Sequence, residues 1–377
     1  MVLKTVYLLI PLLILIIGGG FLVTGDFFKE PPQICFLEPL EKTSIDLYYD
    51  CKDFDEDNPL QAAEINHDEL VLYSLELINE DREHYNTPLV EIGTSSTAQE
   101  HAEELLNLCK TSYWSSNGMK PYMRYSIDGG EGAINENIAV VGTPGIQKYW
   151  TQENMEQIIA WNQHRMVERD ELNAFRHSKN ILDANHNYLN IGIAWNSFCV
   201  AIVHQFEDKY IQWNQKPILT TNKEFILSGR INFNATIEQI DVFFDPTPLP
   251  ISDQDLMMSP PTYGFGHVCT YIICSEDFLP VGTVLPNPES SNLEPDVLEE
   301  IINQDSNIPL LVAHKWETTH GEDFTTFSIE EDFTTLVNFV AEASNTDGKG
   351  VYTVLVWALP EDSNNGMVLT TISIFFL

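Results

Sequence analysis

One group of acidic residues has the spacing of a metal site. Asp53, Asp55 and Asp57 lie at positions i, i+2 and i+4, which is the spacing of oxygen ligands in a calcium loop. Glu64 stands where such a loop places its bidentate carboxylate, but Asn58 takes the turn position that usually holds glycine. Because the surrounding stretch is rich in acidic residues and proline, we favour a solvated acidic stalk over a calcium site here.

The cysteines indicate a second kind of chemistry, disulfide formation. The chain has six of them, at Cys35, Cys51, Cys109, Cys199, Cys269 and Cys274. An even number favours a disulfide framework if the chain is exported, although six cysteines allow about 15 connectivities. Sequence proximity favours pairing the first two and the last two, which leaves Cys109 and Cys199 to pair in the middle of the chain.

Other short motifs for chemistry are few. Asn234-Ala-Thr236 is the one plausible N-glycosylation sequon. The sequence contains no C-x-x-C pair, no G-x-S-x-G nucleophile elbow, no H-E-x-x-H zinc motif and no glycine-rich phosphate loop. These absences argue against thioredoxin-like, serine-hydrolase, zincin and nucleotide-binding enzymes.

Helical periodicity dominates the first half of the chain. Helices are expected along HDELVLYSLELINEDREHYN, TAQEHAEELLNLCK and residues 153–173, and strands at LNIGIAW and FCVAIVHQFE. Asn66 can cap the first of these helices. Helices followed by locally paired strands predict an α+β fold.

The character of the sequence changes after Trp213. Short β-rich runs follow one another, such as EFILSGRINF, QIDVFFD, YTVLVWALP and MVLTTISIFF, and turn-rich segments separate them. Roughly eight strands of this kind predict a mainly-β, sandwich-like domain. Residues 293–304 are expected to add one helix.

Charge excludes some partners. The chain has 19 basic and 56 acidic residues and a formal net charge of -37. Such a surface repels phosphate backbones, so no nucleic-acid partner is expected. It also repels anionic lipid headgroups, and it suits cations, cationic partners or a salty exterior.

Residues 5–23 form an apolar run without a charged side chain, between Lys4 and Asp26. A run near 20 residues can cross the hydrocarbon as one helix. We favour an uncleaved transmembrane anchor over a cleaved signal peptide, because no clear small-x-small cleavage site follows. Lys4 places the N-terminus inside and the rest of the chain outside the cell membrane. Secretion after signal cleavage is the alternative.

Six segments in the middle of the chain carry a family resemblance. In order they read SLELINEDREHYNTPLV, TAQEHAEELL, SYWSSNGMKPYMRY, INENIAVVG, HSKNILDANHNYLNIGIAW and VHQFEDKYIQW. Together they resemble the CAP superfamily of cysteine-rich secretory, antigen and pathogenesis-related proteins. The resemblance implies an α-β-α sandwich at 66–212, between a stalk at 26–65 that follows the anchor at 1–25 and a β-rich domain at 213–377.

The resemblance also implies a cleft, which family members line with two histidines and two acidic residues, sometimes around a divalent metal. Glu136 matches the glutamate of the G-E-N-I-A signature, and His177 matches the histidine of H-R-x-N-I-L. Tyr113 stands where the first histidine usually lies, and His164 stands where a second glutamate follows Trp161. Tyr113 could therefore hydrogen-bond Glu136 in a cleft without metal.

The alternative is a zinc or calcium ion, or another divalent metal, held by Glu136, His177 and His164, since a catalytic metal usually needs three protein ligands. We expect a membrane-anchored extracellular binding module for a protein, lipid or glycan, and not an enzyme. The alternatives are a metal- or carboxylate-assisted hydrolase of peptides or envelope polymers, and a structural envelope component.

Overall fold

The computed structural model describes residues 33–37, 49–53, 64–143, 145–170, 176–266, 280–287, 308–344 and 346–377. Outside these ranges lie the predicted apolar span at 5–23, the predicted helix at 293–304, Asp55, Asp57, Cys269 and Cys274. Within the described ranges, no helix is both long and apolar enough to cross a membrane.

The segment predicted as an acidic stalk contains two strands, β1 (Gln33–Leu37) and β2 (Tyr49–Asp53). They pair antiparallel, and the register places Cys35 directly opposite Cys51. The disulfide between these two residues stays a prediction. On its other side, β1 pairs in parallel with β5 (Gln147–Tyr149). Main-chain hydrogen bonds therefore join this part of the segment to the domain that follows it.

The described residues between 64 and 208 form three layers, with a sheet between helices. The helices are α1 (His67–His84), α2 (Thr97–Leu108), α3 (Pro121–Ile127), α4 (Gln152–Glu168) and α5 (Arg176–Ile181). The sheet has the strand order β3 (Glu91–Ile92), β6 (Tyr188–Trp195), β7 (Cys199–Asp208) and β4 (Ala133–Gly142). β4 is thus an edge strand of this sheet.

The predicted helices are confirmed at their starts and faces. Asn66 caps α1, because its Oδ1 accepts hydrogen bonds from the backbone N–H groups of Asp68 and Glu69 at 3.1 and 3.3 Å. The apolar faces of α1 and α4 pack on one side of the sheet, with Ile191 and Ile193 of β6 in the same core. Side chains alternate along a strand, so the intervening Gly192 faces the opposite layer.

The opposite layer is α2, which lies close to the sheet. Ala98, Ala102 and Leu105 of α2 form a core with Ala194 of β6 and Val203 of β7. Small residues at this contact let helix and sheet approach closely. A disulfide between Cys109 and Cys199 ties the end of α2 to the start of β7, with Cα atoms 5.7 Å apart. This pair is the one predicted for the middle of the chain.

The remaining strands build two further sheets. One has the order β12 (Leu310–Val312), β11 (Gly282–Leu285), β10 (Ala235–Asp245), β15 (Gly350–Pro360), β16 (Met367–Phe376). The other has the order β13 (Lys315–His320), β14 (Thr325–Asp332), β9 (Glu224–Ile231), β8 (Ile211–Leu219). Both sheets and helix α7 (Thr334–Ser344) contribute to one apolar core, as a sandwich requires. Helix α7 was not predicted.

The strand expected to close the first domain is divided between two sheets. VHQFED ends β7 at Asp208, and the chain then enters β8 at Ile211, which pairs with β9. The two domains also share hydrogen bonds. The Thr371 hydroxyl on β16 accepts from the Ile134 backbone N–H at 3.2 Å, and the Thr371 N–H donates to the Gly132 carbonyl at 3.2 Å.

A buried ion pair fixes the loop after β10 against the first domain. The Lys120 ammonium lies 2.8 Å from Asp245 and also donates to the carbonyls of Gly264 and Gly266. The Tyr122 hydroxyl donates to the other Asp245 oxygen at 2.9 Å. Burial lowers the pKa of Lys120, and Asp245 opposes that shift. This contact holds residues 264–266 beside the start of α3, while Leu256 of the short α6 (Asp253–Leu256) packs in the core formed with α2.

Candidate functional site

The two domains meet at a cleft of about 660 Å³. The first domain contributes Tyr113, residues 135–137 of β4, and residues of α5 that include Arg176 and His177. The second domain contributes an aromatic wall of Phe243, Tyr263, Phe265 and Trp357. A volume of this size suits a small-molecule or oligomer ligand. The sequence predicted a cleft in the first domain but not the second wall.

Glu136 lies at this cleft with its carboxylate buried. Arg124 Nη2 donates to both carboxylate oxygens, at 3.0 and 3.2 Å, and the Glu136 side chain is fully buried. Gln205, its register partner on β7, approaches the same carboxylate at 3.4 Å. The Arg124 guanidinium also donates to the carbonyl of Tyr113 at 2.8 Å. The carboxylate therefore anchors α3 to the sheet through a charge-assisted contact.

His177 also lines the cleft, on α5. Its Nδ1 is 2.8 Å from Oδ1 of the buried Asp170, and its imidazole is about one fifth exposed. Asp170 also accepts from the backbone N–H of Ser178 at 3.0 Å. Asn137 of β4 donates to the His177 carbonyl at 3.1 Å, which ties α5 to the edge strand. Glu136 and His177 thus line one cleft, yet each side chain has a different partner.

Two tyrosine rings are in contact where the sequence placed only Tyr113. The rings of Tyr113 and Tyr263 are 4.9 Å apart, and the Tyr263 hydroxyl accepts from the Glu136 backbone N–H at 3.1 Å. No hydrogen bond joins the Tyr113 hydroxyl to Glu136 among the described residues, and Arg124 bridges the two residues instead. Burial and the Glu136 charge raise the pKa of both tyrosines, so both hydroxyls stay protonated.

His204 lies next to the cleft, opposite Asn137 in the pairing of β4 with β7. Its Nε2 is 3.0 Å from the hydroxyl of Ser74 on α1, and both residues are buried. Burial, and less strongly the charge of His177, lowers the pKa of His204 to about 4. The imidazole is therefore uncharged at neutral pH. Because Ser74 is only 1% exposed, no substrate reaches it, and the pair is a core contact.

The second wall holds an oriented indole ring. Trp357 Nε1 donates to Oδ2 of Asp241 at 2.8 Å. Asp241 also accepts from the Thr283 hydroxyl at 2.7 Å and from Gln239. Asp241 is 8% exposed and has partners on both oxygens, so it serves to fix the ring. Trp357 itself is half-buried and keeps a surface in the cleft.

The residues suggested for a metal do not form a shared ligand set. His164 lies half-buried on α4 and is not part of the cleft lining. Glu136 is already paired with a guanidinium, which would repel a metal cation. Within the described residues, no three His, Cys, Asp or Glu side chains group as a metal site. Zinc therefore does not fit this cleft.

The other predicted sites lie elsewhere. Asp53 ends β2, and Glu64 is an exposed residue before α1, so the calcium prediction involves residues both inside and outside the described ranges. Asn234 lies before β10, where its side-chain amide donates to the Glu322 carbonyl at 3.0 Å. Glycosylation of Asn234 would leave this nitrogen a single N–H for that contact.

Several residues that line or support the cleft were not found from the sequence. Arg124 lies in the matched segment SYWSSNGMKPYMRY, but the resemblance gave it no role; Asp170 and Asp241 lie outside the six matched segments, and Tyr263 lies in a proline-rich loop of the second domain. Only the alternation of β10 and β15, which places Asp241 and Trp357 on strands, gave any signal for them. Their roles depend on contacts distant in sequence, such as the 116 residues between Trp357 and Asp241.

Comparisons with known proteins gave structural matches alone. No protein-family model matches the chain, and no curated protein matches it. The chain is similar to an extracellular protein containing an SCP domain from Bacillus anthracis str. Ames, with 18% identity, 39% of this chain and 45% of that chain covered, and a TM-score of 0.28. It is also similar to the CAP domain of Enterococcal PrgA, with 15% identity, 39% and 64% covered, and a TM-score of 0.28.

The chain thus spans less than two thirds of either matched structure. Both matches are SCP or CAP domains, which is the family that the sequence motifs resemble.

Proposed function

We propose that this chain is a cell-surface binding protein that holds its ligand in the cleft between the CAP-like domain and the β-sandwich. In this proposal residues 5–23 anchor the chain and both domains face outward. The cleft supports a binding role because its two walls come from different domains and are fixed by buried contacts. The Lys120–Asp245 ion pair holds the loop that carries Tyr263.

One observation carries the proposal: the buried acidic groups of the cleft are committed to holding its shape. Glu136 is paired with Arg124, and Asp241 orients Trp357. The tyrosine hydroxyls have raised pKa values and are poor nucleophiles at neutral pH. A rigid cleft that combines aromatic surface with a few oriented polar groups is typical of a ligand site.

A hydrolase is the second candidate, and the contact between His177 and Asp170 favours it. A carboxylate that holds an imidazole in one orientation is a common arrangement for a general base. The imidazole is partly exposed at the cleft. However, a nucleophilic serine or cysteine is absent from the cleft lining formed by the described residues. Any hydrolysis would therefore need a water molecule activated by His177.

The binding proposal is tested with a variant whose larger side chain fills the cleft. Val368 on β16 is half-buried and lines it, so Val368→Trp should occupy ligand space. The probes are chitohexaose, oligogalacturonate, and one acidic and one neutral hexapeptide, titrated calorimetrically into the full-length chain in nanodiscs. We expect at least one probe to bind and Val368→Trp to weaken it by about tenfold or more, which corresponds to about 1.4 kcal/mol.

The matched control is Val312→Trp, because Val312 is also a half-buried strand valine but lies outside the cleft lining. It should keep the affinity of the unaltered chain. Equal affinity in both variants, or no binding of any probe, would contradict the proposal. Release of shortened glycan or peptide during the titration would favour the hydrolase instead.

A further inference from the structure

The cleft contains two cations that the fold does not use. Arg176 and Lys179 lie on α5, line the cleft and are exposed. In the part of the chain that the structure describes, neither of them forms an ion pair. With His177 between them, three of the six residues of α5 are basic side chains. The chain has only 19 lysines and arginines against 56 acidic residues, so this local concentration is unusual for it.

The acidic residues of the same cleft do not neutralise these cations. Glu136 is fully buried and paired with Arg124. Asp241 is buried, and both of its oxygens accept hydrogen bonds on the opposite wall. The Arg176 charge does act on the cleft interior, because it lowers the pKa of Tyr113 against the larger raising effects of burial and Glu136. The cationic side chains therefore remain available to an anionic group of a ligand.

The opposite wall offers a flat apolar surface. Trp357 is held in one orientation by its hydrogen bond to Asp241, and Phe265 lies in the same wall. A sugar ring presents a face of C–H groups that packs on such an aromatic surface. Asn135 and Asn180 also line the cleft, and amide side chains supply both donors and acceptors for hydroxyl groups.

An acidic peptide is the other ligand with suitable charge, but the edge of β4 disfavours it. A peptide commonly binds beside a sheet by pairing with an exposed edge strand. Here two N–H groups in the first half of β4 are already used at the cleft. The Glu136 N–H donates to the Tyr263 hydroxyl at 3.1 Å, and the Ile134 N–H donates to Thr371 at 3.2 Å. The second domain thus covers the edge that a peptide strand would need.

We infer that the ligand of this cleft is an acidic glycan, whose carboxylate or phosphate pairs with Arg176 and Lys179 while a sugar ring stacks on Trp357. This inference rests on the proposed binding function and narrows it to a ligand class. The net charge of -37 repels anions over the surface as a whole. Screening confines that repulsion to about 10 Å at moderate salt, so a local pair of cations can still select an anion.

The test compares ligands that differ only in charge. Oligogalacturonate provides carboxylates on a sugar ring, and its methyl ester provides the same rings without charge. Phosphorylated maltohexaose, compared with maltohexaose itself, separates phosphate from carboxylate. Each is titrated calorimetrically into the full-length chain in nanodiscs. We expect at least one charged glycan to bind about tenfold or more tightly than its uncharged counterpart, since a charge-assisted hydrogen bond is one of the stronger polar contacts.

Three variants locate the effect. Arg176→Gln with Lys179→Gln should remove the preference for charge, and Trp357→Ala should weaken charged and neutral glycans alike. The matched control is Lys315→Gln with Lys349→Gln, which removes the same charge from residues outside the cleft lining and should keep the preference. Higher salt should reduce the preference in the unaltered chain but not in the Arg176→Gln, Lys179→Gln variant.

The outcomes separate this inference from the binding proposal. Equal affinity for charged and neutral glycans, or a charge preference that survives loss of Arg176 and Lys179, would overturn the acidic-glycan inference. So would binding of the acidic hexapeptide alone. In each of these cases sensitivity to Val368→Trp would leave the cleft as the binding site. Insensitivity to Val368→Trp would defeat both ideas together.

Discussion

At the scale of single residues, position in a motif and role in the fold are different properties. Glu136 occupies the signature position of the CAP resemblance, yet its carboxylate is paired with Arg124 from α3. His177 occupies the second signature position and pairs with Asp170. The motif located both residues at one cleft, because it marks a strand and a helix that lie together. It could not identify their partners, because Arg124 and Asp170 carry no recognisable pattern of their own.

His204 gives a residue-scale prediction about pH. Its pKa is about 4 in the folded chain, against about 6.5 for an unfolded chain. Between these values the unfolded chain binds a proton that the folded chain does not, so stability falls as pH drops from about 6.5 to about 4. We expect the titration of His204 alone to lower the free energy of unfolding by about 3 kcal/mol between these two pH values. Urea unfolding of the full-length chain at pH 7, 6, 5 and 4 measures it.

The variant that checks this prediction is His204→Gln. It should reduce the slope of the free energy of unfolding against pH by the equivalent of up to one bound proton. His84→Gln serves as the control, since His84 is exposed on α1, the helix whose Ser74 contacts His204. An unchanged slope in His204→Gln would mean that His204 does not carry the effect.

At the scale of elements, the sequence predicted most of the helices and strands but little about how they connect. The amphipathic pattern predicted α1, α2 and α4, and β-rich runs predicted β9, β10, β15 and β16, because periodic burial leaves a periodic trace. Helix α7 was missed because it is short and lies among strands. The division between β7 and β8 was missed because only Lys209 and Tyr210 separate the two strands.

Gly192 gives an element-scale prediction. A Cβ at this residue would lie 2.0 Å from the Ala98 carbonyl oxygen, so Gly192→Ala must push α2 away from β6. We expect a loss of about 1–3 kcal/mol in the free energy of unfolding, the usual cost of overpacking a core. Urea denaturation of the full-length chain measures it.

Gly366→Ala is a suitable control, because the nearest atom to a Cβ there is Oε2 of Glu238 at 3.3 Å, the end of a flexible side chain. Equal stability of Gly192→Ala and the unaltered chain would show that α2 packs less closely on the sheet than described.

At the scale of the whole molecule, the second domain completes the cleft of the first. The sequence predicted two domains from the change in composition after Trp213, but it gave no sign that they share a site. The contact depends on Lys120 and Asp245, which are 125 residues apart. An ion pair this distant leaves no local pattern, and buried lysine is rare enough to be unexpected.

The Lys120 contact gives a prediction for the whole molecule. Lys120→Met would leave Asp245 buried without its charge partner, which costs about 3–5 kcal/mol. Lys120→Met with Asp245→Leu should recover part of that loss, because both charges are then absent. Urea unfolding measures stability, and limited proteolysis of residues 246–266 should quicken in the single variant alone.

Lys315→Met is the control, because Lys315 forms an ion pair with Glu330 in which both side chains are over one third exposed. Its effect on stability should be small. A single variant at Lys120 that is as stable as the Lys315 variant would contradict the role given to the buried pair.

The parallel pairing of β1 with β5 has a consequence for where the protein can reach. If residues 5–23 cross the bilayer, only ten chain steps separate Val23 from Gln33, the first residue of β1. An extended chain covers about 35 Å in that distance. The linker is therefore short, and the folded part of the chain can reach only the layer next to its own cell. A glycan captured in the cleft would have to be one that this cell's envelope carries, or one drawn close to it.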